Sequence, residues 1–84
     1  MKDLSEAYNL AQRAISDLKT AIHSVLMNNS EGLSNAEIGR SLGIYQGHSG
    51  NHEGHISRVL LGIMQSEGNI DQDEKTKKWS LKKV

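Results

Sequence analysis

The 84-residue sequence contains no cysteine. The chain therefore cannot form a disulfide bond, use a thiolate as a nucleophile or hold zinc through sulfur ligands. Long apolar runs are also absent, and the first residues, MKDLSEAYN, carry acids where a signal peptide would need a basic start followed by an apolar stretch. These absences predict a soluble, cytoplasmic protein that does not enter a membrane.

A net charge is also lacking, because ten basic side chains balance ten acidic ones. This balance argues against a protein that coats nucleic acid through bulk charge. The charges are nevertheless segregated: residues 43–74 hold one arginine and five acids, whereas residues 75–84 hold five lysines and no acid. The basic end predicts either a local contact with a polyanion or a solvated lysine tail.

The length predicts one small domain, residues 1–84, with a single modest core. Such a chain is short for an enzyme with a deep cleft, and the sequence contains no nucleophile elbow of the G-x-S-x-G type. We therefore expect a binding protein and not an enzyme.

Apolar side chains recur in steps of four and three from Leu4 to Val25, and neither proline nor glycine occurs before Gly32. This pattern predicts one long helix, about residues 3–28, with a heptad-like stripe that several alanines widen. Residues 18–26 suffice to cover a small core. Residues 1–17 are therefore predicted to be an N-terminal extension that joins two copies into a homodimer, and the alternative is that this extension folds back on its own domain.

A capping box with a hydrophobic staple marks the start of the next helix, in LSNAEIGRSLG. Ser34 and Glu37 can each bind the other's main-chain amide, and Leu33 can pack on Ile38. The motif predicts a short helix over about residues 35–42, which Gly43 ends.

Helical spacing returns after a stretch rich in glycine and histidine and predicts a third helix over about residues 52–67. Its inward face is predicted to consist of Ile56, Val59, Leu60 and Ile63. Leu61 is predicted to face outward. The final segment, NIDQDEKTKKWSLKKV, alternates apolar and polar residues and predicts a two-stranded hairpin. The predicted fold class is thus mainly α with a small β-hairpin (α+β).

The order and spacing of LSNAEIGRSLGI, GHISRVLLGIMQSEGNI and DQDEKTKKWSL resemble the two motif helices and the wing of the winged helix-turn-helix family, as in MarR-like and ArsR-like regulators. The resemblance implies a winged-helix core over residues 18–84 that binds double-stranded DNA as a transcriptional regulator or as the targeting module of a larger system. In this family the third helix enters the major groove and the wing lies along the DNA backbone or the minor groove. The connection GIYQGHSGNHEG is longer and richer in glycine than the usual turn of the motif.

The predicted DNA contacts come from the third helix, the wing and the second helix. They are His55, Ser57, Arg58, Gln65, Lys75, Lys77, Lys78 and Arg40. Arginine and glutamine can each bind two atoms of one base edge, and lysines can neutralise phosphates. For Arg58 the alternative is an ion pair with Glu53 or Asp71. For the whole chain the alternative is a winged helix that binds another protein without binding DNA.

A third alternative comes from His48, His52 and His55, which lie four and three residues apart. Three imidazoles can bind zinc with water in the fourth position, as in a metal-sensing regulator. The stretch is interpreted instead as an enlarged turn of the helix-turn-helix, and no cofactor is predicted.

Overall fold

A computed structural model describes residues 4–45 and 54–82 of the chain. Within these ranges it contains three helices and two strands, namely α1 (Leu4–Met27), α2 (Asn35–Ser41), α3 (His55–Ser66), β1 (Ile70–Gln72) and β2 (Trp79–Leu81). The strands form one antiparallel sheet, so the predicted class of a mainly helical domain with a small hairpin is confirmed. No helix in the described ranges is long and apolar enough to cross a membrane.

Only the C-terminal half of α1 packs against the rest of the domain. Ile22 and Leu26 are buried, whereas residues 4–17 are exposed along their whole length. At 1.5 Å per residue, this exposed half is roughly 20 Å long. It does not fold back on the described part of the domain.

The capping box at the start of α2 is confirmed. The Glu37 amide donates to Ser34 Oγ at 3.1 Å, and the Ser34 amide donates to Glu37 Oε1 at 2.8 Å. These two bonds satisfy main-chain donors that the helix itself cannot satisfy. They fix the direction in which α2 leaves the preceding segment.

A single apolar core joins α1, α2, α3 and the hairpin. Its buried members are Ile22, Leu26, Ile38, Leu60, Leu61, Met64, Ile70 and Trp79. Complete burial of an aliphatic side chain contributes about 1.5–3 kcal/mol, so this cluster supplies most of the driving force for folding.

The rotation of α3 about its own axis differs from the prediction. Leu61, predicted to face outward, is completely buried, while Ile56, Val59 and Ile63, predicted to face inward, are 51%, 50% and 36% exposed. Ser57 is buried as well, which is possible because its hydroxyl is hydrogen-bonded. The helix thus carries two aliphatic stripes, and the one that enters the core contains a serine.

The hairpin is attached to the segment before α2 through main-chain atoms. The Trp79 amide donates to the Leu33 oxygen at 2.7 Å, and the Leu33 amide donates to the Trp79 oxygen at 2.9 Å. Within the hairpin, Gln72 lies opposite Trp79 and Asp71 lies opposite Ser80. Because paired residues share a face of the sheet and faces alternate along a strand, Gln72 and Asp71 lie on opposite faces.

Candidate nucleic-acid interface

An open cleft of about 390 Å³ lies between the start of α2, the first turn of α3 and the hairpin. It is lined by Ser34, Asn35, Ala36, Tyr45, Arg58, Gln72, Lys77 and Trp79. Two of these residues carry positive charge and none carries a carboxylate, so we call it the cationic cleft. Two of the predicted DNA-contacting residues, Arg58 and Lys77, meet here although they lie on different elements.

A polar stripe continues from the cleft along α3. Arg58, Gly62 and Gln65 are exposed, and the helical rotation of about 100° per residue puts them on one side of the helix. Gln65 lies roughly 10 Å further along the axis than Arg58 and therefore outside the cleft. At Gly62 the space that a side chain would take is open, since no described atom outside the adjacent main chain of α3 lies within 4 Å of the position of a Cβ atom. Another molecule can therefore approach the α3 main chain closely at this point.

His55 lies on a different surface of α3. It borders an aliphatic groove of about 320 Å³ between α1 and α3, whose other lining residues are Ile15, Leu18, Ile56, Val59, Leu60 and Ile63. The structure thus separates His55 from the cationic cleft. The cleft and the aliphatic groove lie on two different flanks of the same helix.

The start of α3 is fixed to α2 by a small polar network. The Ser57 hydroxyl lies 2.7 Å from Asn35 Oδ1, and Asn35 Nδ2 donates to the Gly54 oxygen at 3.0 Å. Gly54, the residue before α3, has a φ of +71° and is buried. A Cβ atom at Gly54 would lie 2.6 Å from both Asn35 Nδ2 and Tyr45 Cε1. Glycine is therefore needed here for its conformation and for its small size.

The Tyr45 ring packs closely against α2 and against Gly54, the residue before α3. A Cβ atom at Gly39 of α2 would lie 2.9 Å from Tyr45 Cβ, and one at Gly54 would also meet the ring. The Arg40 guanidinium carbon lies 4.6 Å from the ring centroid, in a cation–π arrangement that contributes about 0.5–1 kcal/mol at an exposed site. Tyr45 thereby holds Arg40, another predicted DNA contact, next to the cationic cleft.

The hairpin loop is organised by Asp73. One carboxylate oxygen, Oδ1, accepts the amides of Lys75 and Thr76, both at 2.8 Å, and the Asp73 main-chain oxygen accepts the Lys77 amide at 2.8 Å. Lys77 adopts a left-handed conformation with a φ of +66°. A short Asp side chain that binds amides further along the chain is a frequent turn-forming device. It fixes the loop that carries the three predicted lysines, all of which are exposed.

Two acids near these lysines, Asp73 and Glu37, accept local hydrogen bonds. The amides of Thr76 and Lys75 lower the pKa of Asp73, and the charge of Lys77 lowers it further. The amide and hydroxyl of Ser34 lower the pKa of Glu37, with smaller contributions from Lys78 and Arg40. Asp71 lies on the face of the hairpin opposite Gln72, which lines the cleft. Among the described residues, therefore, none of these carboxylates lines the cleft, although their lowered pKa values keep Asp73 and Glu37 negatively charged near it.

The prediction that Ser57 contacts DNA needs a correction. Its side chain has no exposed surface, and its hydroxyl is bound within the α2–α3 junction. Ser57 positions α3 and is not a surface contact. Arg58, its neighbour, is exposed and forms no ion pair within the described residues, so the alternative pairing with Asp71 is not seen.

The predicted zinc alternative falls largely outside the described residues, since His48 and His52 lie there. Within residues 4–45 and 54–82 no group of three or more side chains is arranged to hold a metal ion. The enlarged turn interpreted from the sequence also lies mostly outside these ranges.

Three residues important to the junction were not predicted from the sequence. These are Asn35, Gly39 and Tyr45. The signal that could have indicated them is Gly39 itself, because a glycine inside a helix of only seven residues is unfavourable unless another group packs closely against it.

Comparisons with protein-family models, with curated proteins and with solved structures gave no match to this chain.

Proposed function

We propose that this chain is a winged helix-turn-helix protein that binds double-stranded DNA, as a transcriptional regulator or as the DNA-targeting module of a larger system. The observation that carries the proposal is the convergence of Arg58 and Lys77 on one cleft whose described lining contains no carboxylate. The order of a capped short helix, a second helix packed on it and a basic hairpin supports the same family.

In the proposed complex the polar stripe of α3 faces the bases of the major groove. Arg58 binds the two acceptors of a guanine, or a phosphate at the groove edge, and Gln65 reads an adenine further along the helix. Open space at Gly62 allows α3 to sit deeply in the groove. Arg40, held over Tyr45, contacts the backbone beside it.

The hairpin supplies the part of the affinity that does not depend on sequence. Lys75, Lys77 and Lys78 project from a loop that Asp73 fixes, so they lose less conformational freedom on binding than lysines on a mobile tail. Each phosphate that they neutralise releases counterions from the DNA. This mechanism predicts binding that weakens steeply with added salt.

The proposal is tested by fluorescence anisotropy with a labelled random-sequence duplex over a range of salt concentrations. The triple variant Lys75→Ala, Lys77→Ala, Lys78→Ala should reduce the slope of log affinity against log salt by about 0.9 for each phosphate that is no longer neutralised. Arg58→Ala should weaken binding by about tenfold, which corresponds to about 1.4 kcal/mol. Arg13→Ala, on the exposed half of α1, is the matched arginine control and should bind as the wild type does.

Two results would overturn the proposal. One is absence of binding to any duplex at low salt. The other is an unchanged salt slope in the triple lysine variant together with unchanged affinity in Arg58→Ala.

A second candidate function is a winged-helix module that binds only protein. The exposed aliphatic flank of α3, with Ile56, Val59 and Ile63, favours it. An NMR titration with duplex DNA separates the two functions. Shifts at Arg58, Gln65 and the hairpin loop support DNA binding, whereas an unchanged spectrum supports the protein-binding module.

A further inference from the structure

The chain has two exposed aliphatic surfaces that adjoin each other. The first is a ridge on α1, formed by Leu4, Tyr8, Ala11 and Ile15. Leu4 and Tyr8 are 70% and 65% exposed. The second is the aliphatic groove between α1 and α3, whose members Ile56 and Val59 are about half exposed. Ile15 belongs to both surfaces, so they form one continuous apolar face.

Within residues 4–45 and 54–82, charged side chains lie away from the centre of this face. On the exposed half of α1 the helical rotation of about 100° per residue turns Glu6, Arg13 and Asp17 to the side away from the ridge. Lys19, which lies nearer to it, is held by Glu67 at the end of α3, with Nζ 2.8 Å from Oε2. A second apolar surface can therefore cover the face without burying an unpaired charge.

The size and shape of the chain also indicate surface that remains to be covered. Its accessible area is 6301 Å², whereas a compact monomer of its mass, 9.3 kDa, exposes about 5,000 Å². Its radius of gyration is 14.2 Å, compared with roughly 12 Å for a compact domain of this length. The exposed half of α1 contributes to this excess, and the excess of the whole chain exceeds the roughly 800 Å² that each partner buries in a protein–protein interface of standard size.

The ridge cannot fill the groove of its own chain. α1 is an unbroken helix from Leu4 to Met27, and its exposed half continues beyond the domain. A partner that covers both surfaces must therefore supply a groove for the ridge and a ridge for the groove. A second copy does so, because two copies related by a two-fold axis can each insert a ridge and each receive one.

We infer that the chain forms a two-fold dimer in which the α1 ridge of each copy packs into the aliphatic groove between α1 and α3 of the other. Val59 and Ile63 of α3 are then interface residues. One flank of α3 serves the dimer, and the other carries the polar stripe with Arg58 and Gln65. The dimer forms without DNA and does not depend on the function proposed above.

The dimer is tested with the full chain by sedimentation velocity over a range of protein concentrations, without DNA. The wild type should sediment as a dimer that dissociates on dilution. Tyr8→Lys in the ridge and Val59→Glu in the groove should each raise the dissociation constant at least tenfold. Asn9→Lys introduces the same charge one residue away, outside the ridge, and should behave as the wild type.

Mixing the two variants distinguishes insertion into the groove from simple pairing of two α1 helices. In a mixture, the ammonium group introduced into the ridge of one copy meets the carboxylate introduced into the groove of the other, and the remaining ridge and groove are both wild type. The mixture of Tyr8→Lys and Val59→Glu should therefore recover a heterodimer, whereas each variant alone stays mostly monomeric.

Both substituted side chains are at least half exposed, so each variant should keep the wild-type helical content, measured by circular dichroism, as a monomer. A wild-type chain that stays monomeric at every concentration overturns the inference. So does a dimer that Tyr8→Lys weakens but Val59→Glu leaves unchanged, because α1 alone would then form the interface.

Discussion

The hydroxyl of Ser57 donates a hydrogen bond of 2.7 Å to the side-chain oxygen of Asn35, which joins the first turn of α3 to the first turn of α2. The hydroxyl also lies 3.1 Å from the Gly54 oxygen, but it has only one proton to donate. Asn35 Nδ2 satisfies that oxygen instead. The two side chains therefore act as one unit, and the angle between α2 and α3 depends on both.

Ser57→Ala should destabilise the protein by about 1–3 kcal/mol, because it leaves Asn35 Oδ1 without its donor in a partly buried position. Urea unfolding followed by circular dichroism measures the change. The double variant Asn35→Ala, Ser57→Ala should lose less stability than the sum of the two single variants, by at least about 0.5 kcal/mol. Additive losses would show that the two side chains act independently.

Gly54→Ala should destabilise the protein more than Gly43→Ala, although both glycines have a φ of +71°. At Gly43 a Cβ atom would meet none of the described residues within 4 Å, so this variant measures the cost of the left-handed conformation, about 1 kcal/mol. At Gly54 the same atom would collide with Asn35 and Tyr45. Equal losses of unfolding free energy in the two variants would contradict a close-packed junction.

Lys77→Gly should raise stability while it weakens the proposed binding to DNA. Glycine removes the left-handed strain at this position, a gain of roughly 0.5–1 kcal/mol, and also removes a positive charge from the cationic cleft. Lys77→Ala removes the same charge but keeps the left-handed strain. It should therefore bind DNA as weakly as Lys77→Gly does, but it should not gain stability. Thermal unfolding and anisotropy, measured on both variants, separate the two roles of this residue.

The lowered pKa values of Asp73 and Glu37 predict acid sensitivity. A carboxylate whose pKa is lower in the folded protein stabilises the fold above its ordinary pKa, 3.8 for Asp73 and 4.5 for Glu37. That contribution is lost as the pH falls through the lowered value. The urea midpoint should therefore fall more steeply below about pH 4 in the wild type than in Asp73→Asn, which cannot titrate. Identical acid profiles would show that the turn does not depend on the charge of Asp73.

Features that depend on neighbouring residues could be predicted from the sequence. The capping box of Ser34 and Glu37 joins residues three positions apart, and the hairpin follows from alternation within one segment. Both features are determined by residues that lie close together in the sequence. The long first helix is predictable for the same reason, because its pattern is uninterrupted over many turns.

The rotation of α3 could not be predicted in this way. Its sequence offers two aliphatic stripes, and periodicity alone does not indicate which one is buried. Which stripe is buried depends on Asn35, because its side chain binds the buried hydroxyl of Ser57, 22 residues further along the chain. The cationic cleft has the same origin, since Arg58 and Lys77 meet only through the packing of separate elements.

The main-chain bridge between Leu33 and Trp79 has a consequence for how the binding surface can change over time. The atoms that form it are present in every residue except proline, so the position of the hairpin does not depend on the exposed side chains at its tip. Lys75 and Lys78 can therefore be exchanged for other residues while the hairpin keeps its place beside α2. The same scaffold can in this way acquire a new binding specificity without first losing its fold.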